Sequence, residues 1–175
     1  GKLLLKKIEE LKLILDVTHL CDSSFWETLE FYQGPIWASH SNCRKLVNNE
    51  RQFDDSQIRI LIDHNAVIGM AFDAWMMTPN WERGKTKPTD KGLLIESIVD
   101  HIDHICQLSG NTNHVMIGSD LDGGFGKEQC PEDLDTIADL QKLGYILNRR
   151  GYSDTDIEKI LSKNGILFLQ EHLPN

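Results

Sequence analysis

The chain has 175 residues, of which 40% are hydrophobic and 26% are charged, and this composition is typical of one soluble globular domain. Lys and Arg total 18 against 27 Asp and Glu, which gives a formal net charge of −9. A chain this acidic repels phosphate backbones at long range, so nucleic acid is excluded as the expected partner. Its apolar runs are far shorter than the roughly 20 residues needed to cross a bilayer, so we expect no membrane segment.

Four cysteines, at positions 21, 43, 106 and 130, are widely spaced and form no C-x-x-C pair. This spacing favours free thiols over a structural zinc site, and free thiols favour a reducing compartment such as the cytoplasm. Because the chain begins with Gly1 rather than methionine, secretion or membrane anchoring through residues upstream of it stays an open alternative.

Four apolar runs have the length of strands and are bounded by polar or turn residues. They span Leu13 to His19, Pro35 to His40, Ala66 to Phe72 and Val115 to Asp120. Val, Ile, Leu and Ala are nearly continuous in these runs rather than alternating with polar residues. That pattern is typical of strands buried on both faces of a parallel sheet.

Helical patterns fill the gaps between the predicted strands. After the first strand, Ser24 and Glu27 have the spacing of a capping box, which predicts a helix that continues to Tyr32. A second helix is predicted from Asp55 to His64. The third helix has the clearest pattern, with one buried stripe formed by Ile95, Ile98, Val99, Ile102 and Ile105.

Two final helices are predicted, from Leu134 to Arg150 and, after a Ser153 cap, from Asp154 to Leu161. A helix followed by four strand-to-helix units builds a parallel sheet with helices outside it, by the right-handed crossover rule. We therefore predict an α/β fold of the parallel TIM-barrel type in a single domain over residues 1–175. A full barrel typically needs about 250 residues, so the chain has room for about half of one.

Three of the four predicted strands end in a residue that can bind a metal or move a proton, namely His19, His40 and Asp120. In parallel barrels the active site lies at the carboxyl ends of the strands, where the variable loops converge. One histidine there is more often structural than a ligand, but two on neighbouring strands favour a shared metal ion. Zinc or a similar ion, with a carboxylate nearby, indicates a metallohydrolase that attacks with an activated water.

Five short motifs follow one another across nearly the whole chain. They are D-V-T-H-L (16–20), S-H-S-N-C-R (39–44), R-Q-F-D-D (51–55), D-H-I-D-H-I (100–105) and G-S-D-L-D-G (118–123). In order and spacing this set resembles the successive signatures of the renal (membrane) dipeptidase family. The resemblance implies an amidohydrolase-type (β/α)₈ barrel that hydrolyses dipeptides with two zinc ions, of which this chain supplies strands five to eight.

The resemblance also implies roles for individual residues. His19 and His40 would ligate one zinc ion, Arg51 would hold the substrate carboxylate, and Asp120 would handle a proton or the substrate amine. The family's H-x-D pair, its bridging glutamate and a further substrate-contacting histidine would all lie before Gly1. We therefore expect one zinc ion or none in this chain alone, and little or no dipeptidase activity.

Two other functions stay open. A non-catalytic half-barrel would associate with its own N-terminal half or with a second copy, because an open parallel sheet exposes unpaired edges. A related barrel hydrolase would act on another amide or ester, since a fold does not fix a substrate.

Some further polar and aromatic residues admit two interpretations each. Asp73 ends the third predicted strand, so it either reaches the site or caps a turn. His101 and His104 have a spacing compatible with metal binding, but we expect structural roles near the edge of their helix. The loop that contains Trp75 and Trp81 either lines a substrate pocket or packs onto the barrel.

Overall fold

The computed structural model describes residues 1–173, in which four short strands alternate with helices. The strands are β1 (Leu15–Asp16), β2 (Ile36–Trp37), β3 (Ile68–Met70) and β4 (Val115–Ile117). The α-helices of this part of the chain are α1 (Lys2–Glu10), α2 (Asp22–Phe31), α3 (Asp55–Asp63), α4 (Ala74–Met77), α5 (Pro88–Lys91), α6 (Ser97–Ser109), α7 (Lys142–Arg149), α8 (Asp154–Glu158) and α9 (Asn164–His172).

All strand pairing in this part of the chain is parallel. β1 pairs with β2, and β3 pairs with β4. A single parallel bridge between Ala38 and Ile68 joins the two pairs, so the strands lie side by side in chain order, as strand-helix-strand units do. The predicted α/β class and the parallel pairing are confirmed, whereas closure into the wall of half a barrel stays a prediction.

Each strand is shorter than its apolar run predicted, with regular pairing over two or three residues. Beyond the paired residues, His19 and Asp120 have φ of 71° and 58°, which is outside the β region. The backbones also approach closely: a Cβ added at Gly69 would lie 1.9 Å from the carbonyl oxygen of Ser39, and one at Gly118 would lie 1.8 Å from it.

The main apolar core lies between the strands and the helices, and a second, smaller cluster is formed by Val67, Met116 and Phe168. The stripe predicted from the sequence, from Ile95 to Ile105, is fully buried, although Ile95 lies two residues before the start of α6. Each such side chain contributes about 1.5–3 kcal/mol on burial. The helix ends at Gly110, whose φ of 70° gives the left-handed C-cap that glycine adopts most easily. The clearest helix of the sequence is therefore confirmed.

The starts of α2 and α3 are fixed in different ways, by a distant contact at α2 and by a local capping box at α3. The predicted capping box between positions 24 and 27 is wrong, because α2 already begins at Asp22. Arg44 holds that carboxylate in a bidentate pair, at 2.7 and 2.9 Å, and so fixes the helix start three residues earlier than a Ser24 cap would. A capping box instead begins α3, where the side chains of Asp54 and Gln57 each accept a hydrogen bond from the other's backbone amide.

The helix predicted from Leu134 to Arg150 is divided into a 3₁₀ segment, Ile137–Gln141, and α7. The predicted Ser153 cap is confirmed, since its side chain accepts a hydrogen bond from the Asp156 amide. α8 continues through a π-helical turn, Lys159–Lys163, into α9. This last helical segment packs on β4.

The histidines of α6 are structural, but one of them is placed differently from the prediction. His101 is buried rather than near solvent, and its Nδ1 accepts a hydrogen bond from the Cys43 amide at 3.1 Å. Burial lowers the pKa of His101 to about 4. The Nε2 of His104 lies 2.7 Å from Oδ1 of Asp55. Both histidines therefore join α6 to neighbouring elements.

Two expectations about the whole chain concern its thiols and the membrane. All four cysteines are free, as their spacing predicted. Among residues 1–173, no helix has both the length and the apolar character that crossing a bilayer requires.

Candidate metal centre

The candidate site lies where the strands end. His19, His40 and Asp120 are each the third residue after the end of their strand, β1, β2 and β4 respectively. Parallel strands end at the same edge, so equivalent positions place these side chains on one rim. Arg51 reaches the same rim from the loop between β2 and α3. The structure therefore brings together all four residues that the sequence singled out.

The two histidines face each other through the same ring nitrogen. Their Nε2 atoms are 2.9 Å apart, and the rings meet edge to face with centroids 4.9 Å apart. Two zinc–nitrogen bonds of about 2.1 Å span at most ~4.2 Å. A separation of 2.9 Å therefore lets both nitrogens reach one ion.

The environment of His19 also suits metal binding. Burial is the main cause that lowers the pKa of His19, and the charges of Arg51 and His40 lower it further, against Asp120 and Asp16. A lowered pKa favours the neutral imidazole, which is the form that binds metals. The other ring nitrogen of His40, Nδ1, lies 2.8 Å from Oγ of Ser39, a contact that orients a ligand from behind.

Within residues 1–173, no three His, Cys, Asp or Glu side chains converge closely enough to hold a metal ion. Zinc sites in proteins use three or four protein ligands. The donor type and orientation of the two histidines thus fit zinc, while their number supplies only part of a site. Asp120 adds a carboxylate whose Oδ1 is 3.9 Å from Nε2 of His40.

Arg51 places a partly buried positive charge beside the histidines. Its Nη2 donates to the carbonyl of His40 at 3.0 Å and lies 3.5 Å from Nε2 of His19. Its Nη1 is buried and has no hydrogen-bond partner in the described part of the chain. Burial lowers the pKa of Arg51, but a guanidinium stays charged at any ordinary pH. A carboxylate is the group that best satisfies such a donor.

Sequence reasoning missed Asp16, which aligns the two histidine loops. Its Oδ1 accepts hydrogen bonds from the amides of Thr18 at 3.0 Å and Ser39 at 3.1 Å. Oγ1 of Thr18 then accepts one from the His40 amide at 3.3 Å. The local signal was an aspartate two residues before a threonine, which is an Asx-turn pattern. The contact to the neighbouring strand has no local signal.

The space beside the site is open. A cavity of about 360 Å³ borders His40 and Asp120, together with Ser39 and the glycine-rich turn after β4. A larger cavity, about 580 Å³, lies at the other end of β4, near Cys106 and Tyr152. Because the strand ends carry the ligand-type residues, the smaller cavity is the one beside the candidate chemistry.

Known proteins match this chain over nearly its whole length. A model of the membrane dipeptidase family, Peptidase family M19, matches residues 1–172. An uncharacterized protein in the pqqA 5′ region of Klebsiella pneumoniae is 30% identical over 95% of this chain and 58% of its own length. The dipeptidase tcpJ of Claviceps purpurea is 25% identical over 98% of this chain and 37% of its own length.

Solved structures have the same fold. The dipeptidase AC, a metallopeptidase, superposes with a TM-score of 0.84 at 23% identity, over 98% of this chain and 48% of that one. A Rhodobacter sphaeroides metallopeptidase, solved with a phosphinate mimic of L-Ala-D-Ala, gives a TM-score of 0.83 at 23% identity, over 98% and 46%. The chain thus spans about half the length of these structures. With a family model that covers residues 1–172, the chain belongs to the membrane dipeptidase family, Peptidase family M19.

Proposed function

We propose that this chain supplies half of the active site of a metal-dependent dipeptidase, and that it is inactive or weakly active alone. The observation that carries the proposal is the pair of Nε2 atoms of His19 and His40, 2.9 Å apart, beside the buried unpartnered Nη1 of Arg51. A metal-binding pair and a carboxylate-binding group on one rim are what hydrolysis of a free dipeptide requires.

His19 and His40 would hold one zinc ion, which when bound supplies an activated water and polarises the scissile carbonyl. Ser39 keeps the ring of His40 in place through Nδ1. Asp16 keeps the loop of His40 against the loop of His19. These contacts fix the positions of the two Nε2 atoms before any ligand binds, which lowers the free-energy cost of assembling the site.

Arg51 would bind the C-terminal carboxylate of the dipeptide. Its Nη2 is already used by the His40 carbonyl, so Nη1 is the free donor in the described part of the chain. Because the guanidinium also lies 3.5 Å from His19, a carboxylate held there places the adjacent peptide bond near the histidine pair.

Asp120 would move the proton that the leaving amine needs, or hold the substrate amine. Its left-handed backbone, with φ of 58°, turns the chain sharply at the rim, and its side chain is about one-fifth exposed. Because this carboxylate lies close to the histidine pair and beside an open cavity, it can exchange a proton with a group bound there or with solvent.

The remaining ligands would come from a partner half of the barrel, joined upstream of Gly1 or provided by a second chain. The chain spans 37–58% of the lengths of two relatives that match 95% or more of it. Four exposed leucines and isoleucines lie on the first and last helices, at Leu3, Leu4, Ile166 and Leu167. In the complete enzyme we expect two zinc ions, as against one or none here.

The experiment compares the 175-residue chain with the complete natural chain that carries it, each assayed for Ala-Ala hydrolysis with zinc added. We expect the complete chain to hydrolyse the dipeptide and the shorter one to be at least about 100-fold slower. Full turnover by the shorter chain would show that its own residues suffice. No turnover by the complete, zinc-loaded chain would remove the dipeptidase proposal.

A second candidate function is a non-catalytic half-barrel that binds a partner half. It is favoured by one observation, namely that no three ligand-type side chains converge within residues 1–173. Solution mass separates the two: a stable monomer of 20.0 kDa would argue against a half-barrel that needs a partner.

A further inference from the structure

The structure repeats one arrangement at the end of every strand. The third residue after β1, β2, β3 and β4 is His19, His40, Asp73 and Asp120 respectively. Three of these have roles in the proposed site, and Asp73 has none. It precedes α4, but its side chain makes no capping hydrogen bond to that helix. The turn-cap interpretation of Asp73 therefore does not explain its burial.

One oxygen of Asp73 is held firmly. The side chain is 4% exposed, and Oδ2 accepts hydrogen bonds from Nε1 of Trp75 at 2.6 Å and Nη2 of Arg83 at 2.8 Å. The Arg83 guanidinium also lies over the Trp75 ring, 4.9 Å from its centroid. These contacts fix the carboxylate in one orientation and attach the following loop to the rim.

The other oxygen, Oδ1, is buried and has no hydrogen-bond partner within residues 1–173. Burial raises the pKa of Asp73, against the lowering effects of Trp75 and Arg83. A buried carboxylate oxygen without a donor is unfavourable and rare in native structures. Arg83 does not meet this demand, since it bonds to Oδ2 and its side chain is 60% exposed, where solvent screens its charge.

Arg51 indicates which part of a ligand would meet this oxygen. β3 lies beside β2 through the Ala38–Ile68 bridge, so Asp73 neighbours His40 along the rim, and Arg51 donates a hydrogen bond to the His40 carbonyl. Arg51 and Asp73 each have one buried atom without a partner in the described part of the chain, a donor on Arg51 and an acceptor on Asp73. If Arg51 holds the C-terminal carboxylate, as in the proposed function, the group nearest Asp73 belongs to the same C-terminal residue.

We propose that Asp73 is a specificity-determining residue, whose Oδ1 binds the cationic side chain of a basic C-terminal residue in the dipeptide. The inference rests on the proposed role of Arg51. The nitrogen of that C-terminal residue is part of the scissile bond, so its side chain is what remains to reach Asp73. A lysine ammonium or an arginine guanidinium supplies the missing donor and a compensating charge.

The experiment measures kcat/KM of the complete natural chain, loaded with zinc, for Ala-Lys and for Ala-norleucine, which has the same carbon chain without the ammonium group. We expect Ala-Lys to be preferred about tenfold. Asp73→Asn should bring this ratio close to one, mainly through slower turnover of Ala-Lys. The reversed pair, Lys-Ala and norleucine-Ala, should show little preference, because its cation belongs to the N-terminal residue.

Arg83→Gln separates substrate binding from loop attachment. If Asp73 binds the substrate, this variant keeps or increases the preference for Ala-Lys, since the carboxylate is no longer shared. If Asp73 only attaches the loop, Asp73→Asn and Arg83→Gln slow both substrates alike, and the inference is wrong.

The wild-type ratio needs no variant, so a misfolded variant does not leave the inference undecided. A ratio near one, or a preference seen only for Lys-Ala, overturns it. If the loaded chain hydrolyses no dipeptide, the proposed function fails, and the same ratio is then measured from calorimetric binding of Ala-Lys and Ala-norleucine. Equal binding of the two would overturn the inference independently.

Discussion

At the end of the sheet where the strands begin, buried polar side chains are paired. Nδ1 of His114, just before β4, lies 2.9 Å from the carbonyl oxygen of Ala66. Asn164, at the start of α9, donates to the carbonyls of Thr112 and Val115, both at 2.7 Å. These contacts connect β4 to β3 and to the last helix. This end of the molecule has the pairing expected of a region that serves stability.

At the end where the strands stop, pairing is incomplete. The buried side-chain polar atoms that have no partner within residues 1–173 all lie in the segments between β2, β3 or β4 and the next long helix. They belong to Ser41, Arg51, Gln52, Asp73, Trp81 and Gln129.

This difference separates the residues that hold the fold from those prepared for a ligand. Unpaired buried polar groups cost free energy, and they persist where the surrounding structure enforces them for function. The comparison predicts that changes at the strand ends will remove activity and leave stability nearly intact. Changes at the strand starts should do the opposite.

The largest expected effect is at the histidine pair. His19→Asn in the complete natural chain should lower zinc content and reduce kcat/KM for Ala-Ala by more than about 100-fold, because one of two convergent ligands is lost. Metal analysis and steady-state kinetics measure this, with His64→Asn, an exposed histidine of α3's C-terminus, as the matched control. Normal zinc content and turnover in His19→Asn would contradict the metal role.

Arg51→Met should have the next largest effect, and it separates a dipeptidase from a hydrolase of other amides. We expect kcat/KM for Ala-Ala to fall about 100-fold, since a charged hydrogen bond to the carboxylate is lost. The C-terminally amidated dipeptide, which lacks that carboxylate, should lose much less. Arg59→Met, on the exposed face of α3, controls for the loss of charge. An equal loss on both substrates would favour the alternative hydrolase.

Asn164→Ala tests the other end of the molecule. It leaves the carbonyls of Thr112 and Val115 buried without their donor, which should lower the free energy of unfolding by about 3 kcal/mol. Activity per folded molecule should stay within about twofold, because the strand ends keep their geometry. Urea denaturation measures the stability change, and Asn148→Ala, exposed on α7, is the control. A large loss of activity with unchanged stability would contradict the assignment of this end of the molecule to stability.

Features that depend on residues close together in the sequence could be predicted from it, whereas features that depend on contacts between distant segments could not. Apolar runs located all four strands, and the positions of His19, His40 and Asp120 after them were predicted because strand ends converge in any parallel sheet. The buried stripe of α6 was predicted because helical periodicity is a local property of the sequence.

Interactions between distant segments were not visible. Asp16 acts through the amide of Ser39, a residue 23 positions away. The start of α2 is fixed by Arg44, 22 positions away, which is why the local capping pattern gave the wrong residue. The carbonyl of Ser39 lies against Gly69 and Gly118, which are 30 and 79 positions away along the chain. Such contacts follow from the assembled fold rather than from any one segment.

We expect the smallest effect from His101, a buried histidine that, unlike His19, is not a proposed metal ligand. Its titration makes the stability of the fold depend on pH. Burial lowers the pKa of His101 to about 4 in the folded chain, against 6.5 as its ordinary value. The unfolded chain therefore binds the extra proton first as pH falls, so stability is complete above about pH 6.5 and decreases toward pH 4. Protonation also removes the acceptor that the Cys43 amide uses.

Between pH 7 and pH 4.5 we expect the free energy of unfolding to fall by on the order of 2 kcal/mol, measured by urea denaturation. His101→Gln keeps an acceptor without the titration, so its unfolding free energy should lack this part of the slope. An identical slope in both proteins would assign the pH dependence to other groups.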